Sequence, residues 1–176
     1  MSNIILEWKK TVLRIQNQRE IDSDFIYYSL NEWVKLVSLE ENDTIIEIYN
    51  SHLKYFAQIN FDDYKFHNKW YSIDEIVKYD LSRDKWNINS AIIACSNILL
   101  EIIIFKSNRS CKLLEEDDLR VFQDIRGEKI YFICDGCGYA EDLNGKSIHN
   151  DLIRKLKLIP AKENIVSKFK IEPSIP

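Results

Sequence analysis

Three stretches in the first sixty residues carry apolar side chains at the three- and four-residue spacing of amphipathic α-helices. Each stretch begins beside a residue type that caps helices well, near residues 2–3, 22–23 and 42–43. The pattern predicts a small helical bundle. Its three apolar stripes are Ile5, Trp8, Val12 and Ile15; Ile26, Leu30, Trp33 and Val37; and Ile45, Ile48, Tyr49, His52, Phe56 and Ile59.

Residues 87–108 are mostly apolar, and their polar side chains fall on one thin line of an α-helix: Ser90, Asn97, Glu101 and Asn108. So narrow a polar stripe predicts the central helix of a core. A buried strand over residues 98–105 is the alternative, because Ile-rich runs also suit a pleated sheet. Upstream, Ser72-Ile73-Asp74-Glu75 has the form of a capping box and predicts a short helix to about Tyr79.

After residue 108 the pattern changes to short segments separated by glycine turns. Residues 119–125 and 128–134 flank Arg126-Gly127 and predict a β-hairpin. Further tight turns are predicted at residues 135–138 and at Asn144-Gly145. A short basic helix is expected from Asn150 to Leu158, ending before Pro160.

These elements predict an α+β fold, with a helical N-terminal two-thirds packed with a small antiparallel β-hairpin region near the C-terminus. We expect a single domain over residues 1–176. Residues 1–108 should be mainly helical, residues 109–171 should form hairpins and a short helix, and residues 172–176 should be a loose tail.

Composition and charge narrow the class of protein. The chain of 176 residues is 45% hydrophobic and 30% charged, which is ordinary globular usage. Its net charge of −4 argues against a domain whose main task is binding nucleic-acid phosphates, so direct nucleic-acid binding is not expected. We find no signal-peptide pattern and no uninterrupted apolar span, and therefore expect a cytoplasmic protein with reduced cysteines and no membrane partner.

The segment Cys134-Asp-Gly-Cys137-Gly138 is the motif with the most chemical content. A C-x-x-C-G turn after a strand has the form of a zinc knuckle, because the glycines let both thiolates face one ion. A structural zinc needs four ligands, and no second C-x-x-C exists; the remaining candidates are Cys95, Cys111 and His149. The alternatives are two reduced cysteines in a plain turn or a redox dithiol, which usually lies at a helix N-terminus. We expect no cofactor, with zinc at Cys134 and Cys137 as the alternative.

No sequence pattern points to catalysis. The three histidines are far apart, none lies in a nucleophile signature, and no Gly-rich phosphate loop occurs, so we do not expect an enzyme. An acid run precedes the hairpin, either as a solvated loop or as a contact to a basic partner. Its members are the candidate binding residues Glu115, Glu116, Asp117 and Asp118.

The stretch from Val121 to Gly138, in a small acidic chain with a helical front half and no catalytic motif, resembles bacterial toxin-immunity proteins, including those of contact-dependent growth inhibition. The resemblance implies tight binding to a cognate toxin domain, often a basic nuclease, whose active site it blocks. The main alternative is a zinc-knuckle module that binds nucleic acid or protein through the region of Cys134 and Cys137. A phage-encoded inhibitor of a host nuclease and an enzyme with an unrecognised site are further alternatives.

Overall fold

The computed structural model describes residues 3–18, 22–65, 79–83, 85–115 and 118–174. The chain divides into two compact units, Met1–Ile59 with Ser72–Ile102 and Asn60–Tyr71 with Ile103–Pro176. The single domain over residues 1–176 stays a prediction. The capping box predicted at Ser72 lies outside the described residues.

The first unit is helical, and its first three helices begin at or next to the predicted caps. They are α1 (Asn3–Gln16), α2 (Ser23–Val37), α3 (Asp43–His52) and α4 (Ile88–Ile103). Asp22 caps α2 by accepting the Phe25 N–H at 2.7 Å, and Asn42 caps α3 by accepting the Ile45 N–H at 3.3 Å. The apolar stripes predicted for α1 and α2 are buried throughout, and the Trp8 and Trp33 rings lie 4.5 Å apart. The predicted pattern of these two helices is therefore confirmed.

Two helices end earlier than predicted. α3 ends at His52, whose side chain is exposed rather than packed on an apolar face. Its last turn is Asn50-Ser51-His52, and these residue types form helices weakly. α4 ends at Ile103 and not at Asn108, because the chain from Phe105 onward hydrogen-bonds to a neighbouring strand.

The second unit is built on a six-stranded antiparallel sheet in the part of the chain that the structure describes. Its strands are β1 (Phe105–Ser110), β2 (Asp118–Asp124), β3 (Ile130–Ile133), β4 (Ala140–Asp142), β5 (Ser147–Ile148) and β6 (Leu158–Pro160). The strand order is β1-β2-β3-β4-β5, and β6 also pairs with β2. A 3₁₀ helix (Phe61–Tyr64), α5 (Asn150–Lys155) and α6 (Glu163–Lys168) complete the unit.

The predicted small hairpin region is therefore wrong, although the chain is α+β in general. The hairpin of β2 and β3 is present, with Gly127 in its turn at φ 67°, but it forms only the middle of a larger sheet. The helix predicted over residues 87–108 included most of β1, because the apolar run of α4 continues into the start of this strand and its later residues are polar. β6 has three residues and ends in Pro160, and it replaces the end of the helix expected to reach Leu158.

The described part of the C-terminal tail is also tied down, contrary to the prediction of a loose tail. Pro173 forms an isolated bridge with Ser107, and the Ser174 N–H donates to the Lys106 carbonyl at 3.0 Å. Residues 172–174 are therefore hydrogen-bonded to β1. In the same described ranges, no helix has both the length and the apolar character needed to cross a lipid bilayer.

Candidate metal centre

The topology of the sheet brings two cysteines that are distant in the sequence to the same end of the strands. β1 and β3 both pair antiparallel with β2, so they run in the same direction on its two sides. Their last residues, Ser110 and Ile133, therefore lie at the same end of the sheet. Cys111 follows the first of these strands directly and Cys134 follows the second. The turn that connects β3 to β4 then adds Cys137.

These residues form a three-cysteine cluster, Cys111, Cys134 and Cys137, whose Sγ atoms all lie within 4.8 Å of one another. The Cys111 and Cys137 sulfurs are 3.5 Å apart. A tetrahedral zinc ion with Zn–S bonds of about 2.3 Å separates its thiolate ligands by roughly 3.8 Å. All four cysteines belong to the described part of the chain, and none forms a disulfide. The cluster could therefore hold a metal ion with little movement of the sulfurs.

Backbone N–H groups point at two of the three sulfurs. The Cys111 sulfur accepts hydrogen bonds from the N–H groups of Leu113 at 3.4 Å and Leu114 at 3.3 Å. The Cys134 sulfur accepts from the N–H groups of Gly136 and Cys137. Such donors stabilise the negative charge of a thiolate and orient it as a ligand.

The turn of Cys134 depends on the glycine that follows Cys137. Gly138 adopts φ 71°, a left-handed conformation that a residue with a Cβ rarely takes. Its N–H donates to the Cys134 carbonyl at 3.0 Å, while the Cys134 N–H donates to the Tyr139 carbonyl at 2.8 Å. These two bonds close the loop, so that the Cys134 and Cys137 sulfurs face the same point.

The two buried thiols of the cluster have opposite pKa shifts. Burial raises the pKa of the Cys134 thiol to about 11. Burial also acts to raise the pKa of Cys111, but hydrogen bonds from the Leu113 and Leu114 N–H groups and from the neighbouring thiols outweigh it. The pKa of Cys111 therefore lies below its ordinary value. Of these two thiols, Cys111 is therefore the more readily deprotonated.

A buried carboxylate holds the segment that carries Cys111. Glu141 on β4 is 4% exposed and accepts from Arg109 at 3.0 Å, two residues before Cys111, and from Lys112 at 2.9 Å, directly after it. The Tyr139 hydroxyl donates to the same carboxylate at 2.9 Å. Although burial acts to raise the pKa of Glu141, the hydrogen bonds from Lys112, Tyr139 and Arg109 hold it below its usual value.

The same two cations reach the backbone of the hairpin between β4 and β5. Arg109 donates to the Leu143 carbonyl at 2.8 Å, and Lys112 donates to the Gly145 carbonyl at 2.8 Å. The Arg109 guanidinium also stacks on the Phe132 ring, with its central carbon 3.9 Å from the ring centroid. These contacts hold the segment around Cys111 against the hairpin between β4 and β5.

The structure brings together the predicted pair Cys134 and Cys137 and adds Cys111 from among the remaining candidates. The group formed by the described residues does not include the other two candidates. Cys95 is buried within α4 of the first unit. His149 is exposed and caps α5, where its Nδ1 accepts the Asp151 N–H at 3.3 Å.

Two members of the acid run, Glu115 and Asp118, are among the described residues, and their role as a partner contact stays a prediction. Glu115 is exposed, whereas Asp118 begins β2 and accepts the Ser174 hydroxyl. Glu116 and Asp117 lie outside the described residues. The sequence pattern also gave no sign of the contacts among Arg109, Lys112 and Glu141, because nothing local marks a glutamate in a three-residue strand as the partner of residues thirty positions earlier.

In comparisons with known proteins, no family model, no curated protein and no solved structure matches this chain.

Proposed function

We propose that the second unit is a zinc-knuckle module in which Cys111, Cys134 and Cys137 bind one zinc ion. The observation that carries this proposal is the convergence of three sulfurs within 4.8 Å of one another. Zinc is the metal proposed because it favours thiolate ligands in tetrahedral geometry and has no redox chemistry of its own. A reducing cytoplasm would keep the thiols available to it.

The position of the turn favours metal binding over thiol–disulfide chemistry. Activated C-x-x-C pairs usually begin a helix, whose dipole lowers the thiol pKa. Cys137 is instead followed by Gly138 and by β4, which begins at Ala140. In the described chain neither Cys134 nor Cys137 begins a helix, whereas two sulfurs of the cluster accept N–H donors of the kind that orient and stabilise metal ligands.

Metal analysis of the purified protein tests the proposal. We expect about one zinc per chain by native mass spectrometry, and loss of that zinc when Cys134 and Cys137 are both replaced by serine. Cys95→Ala is the matched control, because it removes a buried thiol that lies outside the cluster. A wild-type protein that takes up no zinc from a buffered zinc solution would refute the proposal.

A second candidate function, binding of a cognate toxin domain as a toxin-immunity protein, is supported by the surface next to Cys111. The side chains of Leu113 and Leu114 are 67% and 42% exposed, and Glu115 beside them is exposed as well. Exposed apolar side chains rimmed by charge are typical of protein interfaces. The acidic residue and the net charge of −4 suit a basic partner such as a nuclease domain.

The toxin proposal is tested with any toxin domain that is found encoded beside this chain. The double variant Leu113→Lys with Glu115→Lys should weaken binding by at least about tenfold, because it removes an apolar contact and reverses a charge. Leu152→Lys with Glu128→Lys is the control, because it changes the same two residue types at other exposed positions. Equal binding by both variants would exclude residues 113–115 from the interface, and no binding by the wild-type chain would remove the toxin proposal.

A further inference from the structure

The two turns that hold the three-cysteine cluster share one feature, the N–H groups that their sulfurs accept. In the turn of Cys134, the sulfur accepts the N–H groups of the residues two and three positions later, Gly136 and Cys137. In the turn of Cys111, the sulfur accepts the N–H groups of Leu113 and Leu114, again two and three positions later. The first sulfur of each turn therefore has N–H donors at the same two positions, although the backbone bonds that close the turn of Cys134 have no counterpart at Cys111 among the described residues.

The turns differ in the side chain at the third position after the cysteine. In the turn of Cys134 this residue is Cys137, which supplies a sulfur to the cluster. In the turn of Cys111 it is Leu114, whose side chain has no donor atom and is 42% exposed. A cysteine at position 114 would complete a set of four thiolates. The leucine leaves that set one ligand short.

Among the described residues, the cluster of histidine, cysteine, aspartate and glutamate donor atoms contains only the three sulfurs. Zinc sites with three protein ligands keep the fourth position for water or an external group, whereas structural sites are closed by four protein ligands. Leu114 donates its N–H to the Cys111 sulfur at 3.3 Å and its side chain is exposed, so solvent reaches the chain beside this sulfur.

We infer that the zinc ion bound by Cys111, Cys134 and Cys137 keeps one exchangeable coordination position, on the side of Leu114, which takes a single external nitrogen or sulfur donor. This inference rests on the proposed zinc site and extends it. Water occupies the position in the absence of such a donor, and an imidazole or a thiolate displaces it. The class of ligand is one histidine-like or cysteine-like group.

Cobalt(II) substitution tests the inference, because the visible bands of tetrahedral cobalt report on its ligands. The wild-type spectrum should change in a saturable way when imidazole or 2-mercaptoethanol is added. In Leu114→Cys the fourth thiolate should make the spectrum insensitive to imidazole. That variant should also bind the metal at least about tenfold more tightly, since loss of even an outer-shell partner changes metal affinity by that much.

Leu113→Cys is the matched control. It introduces a thiol one position away, at a residue that is also exposed and also donates its N–H to Cys111. It should keep the wild-type response to imidazole. A variant with Glu115→Gln, Glu116→Gln and Asp117→Asn tests the nearby carboxylates as internal ligands and should leave the cobalt spectrum unchanged.

The outcomes separate this inference from the zinc proposal. If the wild-type chain binds no cobalt, both fail. If it binds cobalt but imidazole and thiol leave the spectrum unchanged, the metal site stands and the exchangeable position is overturned. A changed spectrum in the carboxylate variant would likewise overturn the inference, because it would identify a fourth ligand within the chain. Wild-type behaviour of Leu114→Cys would refute the assigned position.

Discussion

Among single residues, Glu141 links the strand that follows the C-x-x-C turn to the segment that carries Cys111. Its carboxylate accepts from Arg109, Lys112 and Tyr139, and it is almost fully buried. A buried carboxylate is stabilising only while its partners are present, because its desolvation is otherwise uncompensated. Glu141 should therefore matter for stability even when no metal is bound.

Glu141→Gln should lower the free energy of unfolding by about 2–3 kcal/mol at neutral pH, because it weakens several hydrogen bonds to a charged group. The pKa of Glu141 lies below its usual value in the folded chain. Its stabilising contribution is therefore complete above the unfolded-state pKa, near pH 4.5, and is lost as the pH falls through the lower folded-state pKa. The wild-type chain should lose more stability than the variant on acidification through this range.

Denaturant unfolding at several pH values, with a chelator present throughout, measures this difference without a contribution from metal release. Glu128→Gln is the control, since it removes the same charge from an exposed side chain and should change stability by less than about 0.5 kcal/mol. Parallel pH profiles for wild type and Glu141→Gln would contradict the role assigned to this carboxylate.

The sequence predicted only part of the three-cysteine cluster. The spacing of Cys134 and Cys137, together with Gly138, predicted the turn, because a C-x-x-C-G segment encodes its geometry locally. Cys111 remained one of three open candidates. Its place in the cluster depends on β1 and β3 running in the same direction beside β2, and strand pairing between distant segments is not written in local spacing.

Among the helices and strands, α1 and α2 could be predicted from the sequence, because the cap residues and the spacing of apolar residues indicate the same helix in each case. β1 was not, because the run Ile102-Ile103-Ile104 suits helix and strand alike, and the change between α4 and β1 falls within it. β4, β5 and β6 have two or three residues each, too few for an alternating pattern to be recognised. Pairing with neighbours, rather than propensity, makes them strands.

The packing of α1 against α2 allows a comparison of two buried tryptophans. The Trp33 indole N–H donates to the Ile4 carbonyl at 3.0 Å, whereas the Trp8 indole N–H has no acceptor among the described residues. Both substitutions to phenylalanine lose apolar contact, but only Trp33→Phe also loses a buried hydrogen bond. Trp33→Phe should therefore be the more destabilising by about 1–2 kcal/mol. Thermal or denaturant unfolding of the two variants measures the difference, and equal losses would contradict it.

In the molecule as a whole, the three cysteines of the candidate metal centre all belong to the second unit. A ligand that binds only the folded state adds about 2.7 kcal/mol of stability when its concentration is about one hundred times Kd. Zinc at that excess should therefore slow amide exchange in β1 to β4 by up to about 100-fold. A chelator should reverse this protection in β1 to β4, whereas it should change exchange in α1 and α2 of the first unit little.

Hydrogen exchange followed by mass spectrometry resolves the two units by peptide. The double variant with serine at Cys134 and Cys137 is the control, because its exchange should not respond to the chelator. A uniform increase in exchange across both units would show that the metal does not stabilise the second unit selectively. Unchanged exchange everywhere would count against a structural contribution from zinc.

The most direct test is a crystal structure of the zinc-treated protein, with anomalous diffraction recorded on both sides of the zinc absorption edge. We predict one anomalous peak at about 2.3 Å from the sulfurs of Cys111, Cys134 and Cys137. The result that would contradict the zinc site is an absence of anomalous signal there, with Cys111 and Cys137 either unchanged or joined by a disulfide at about 2.05 Å.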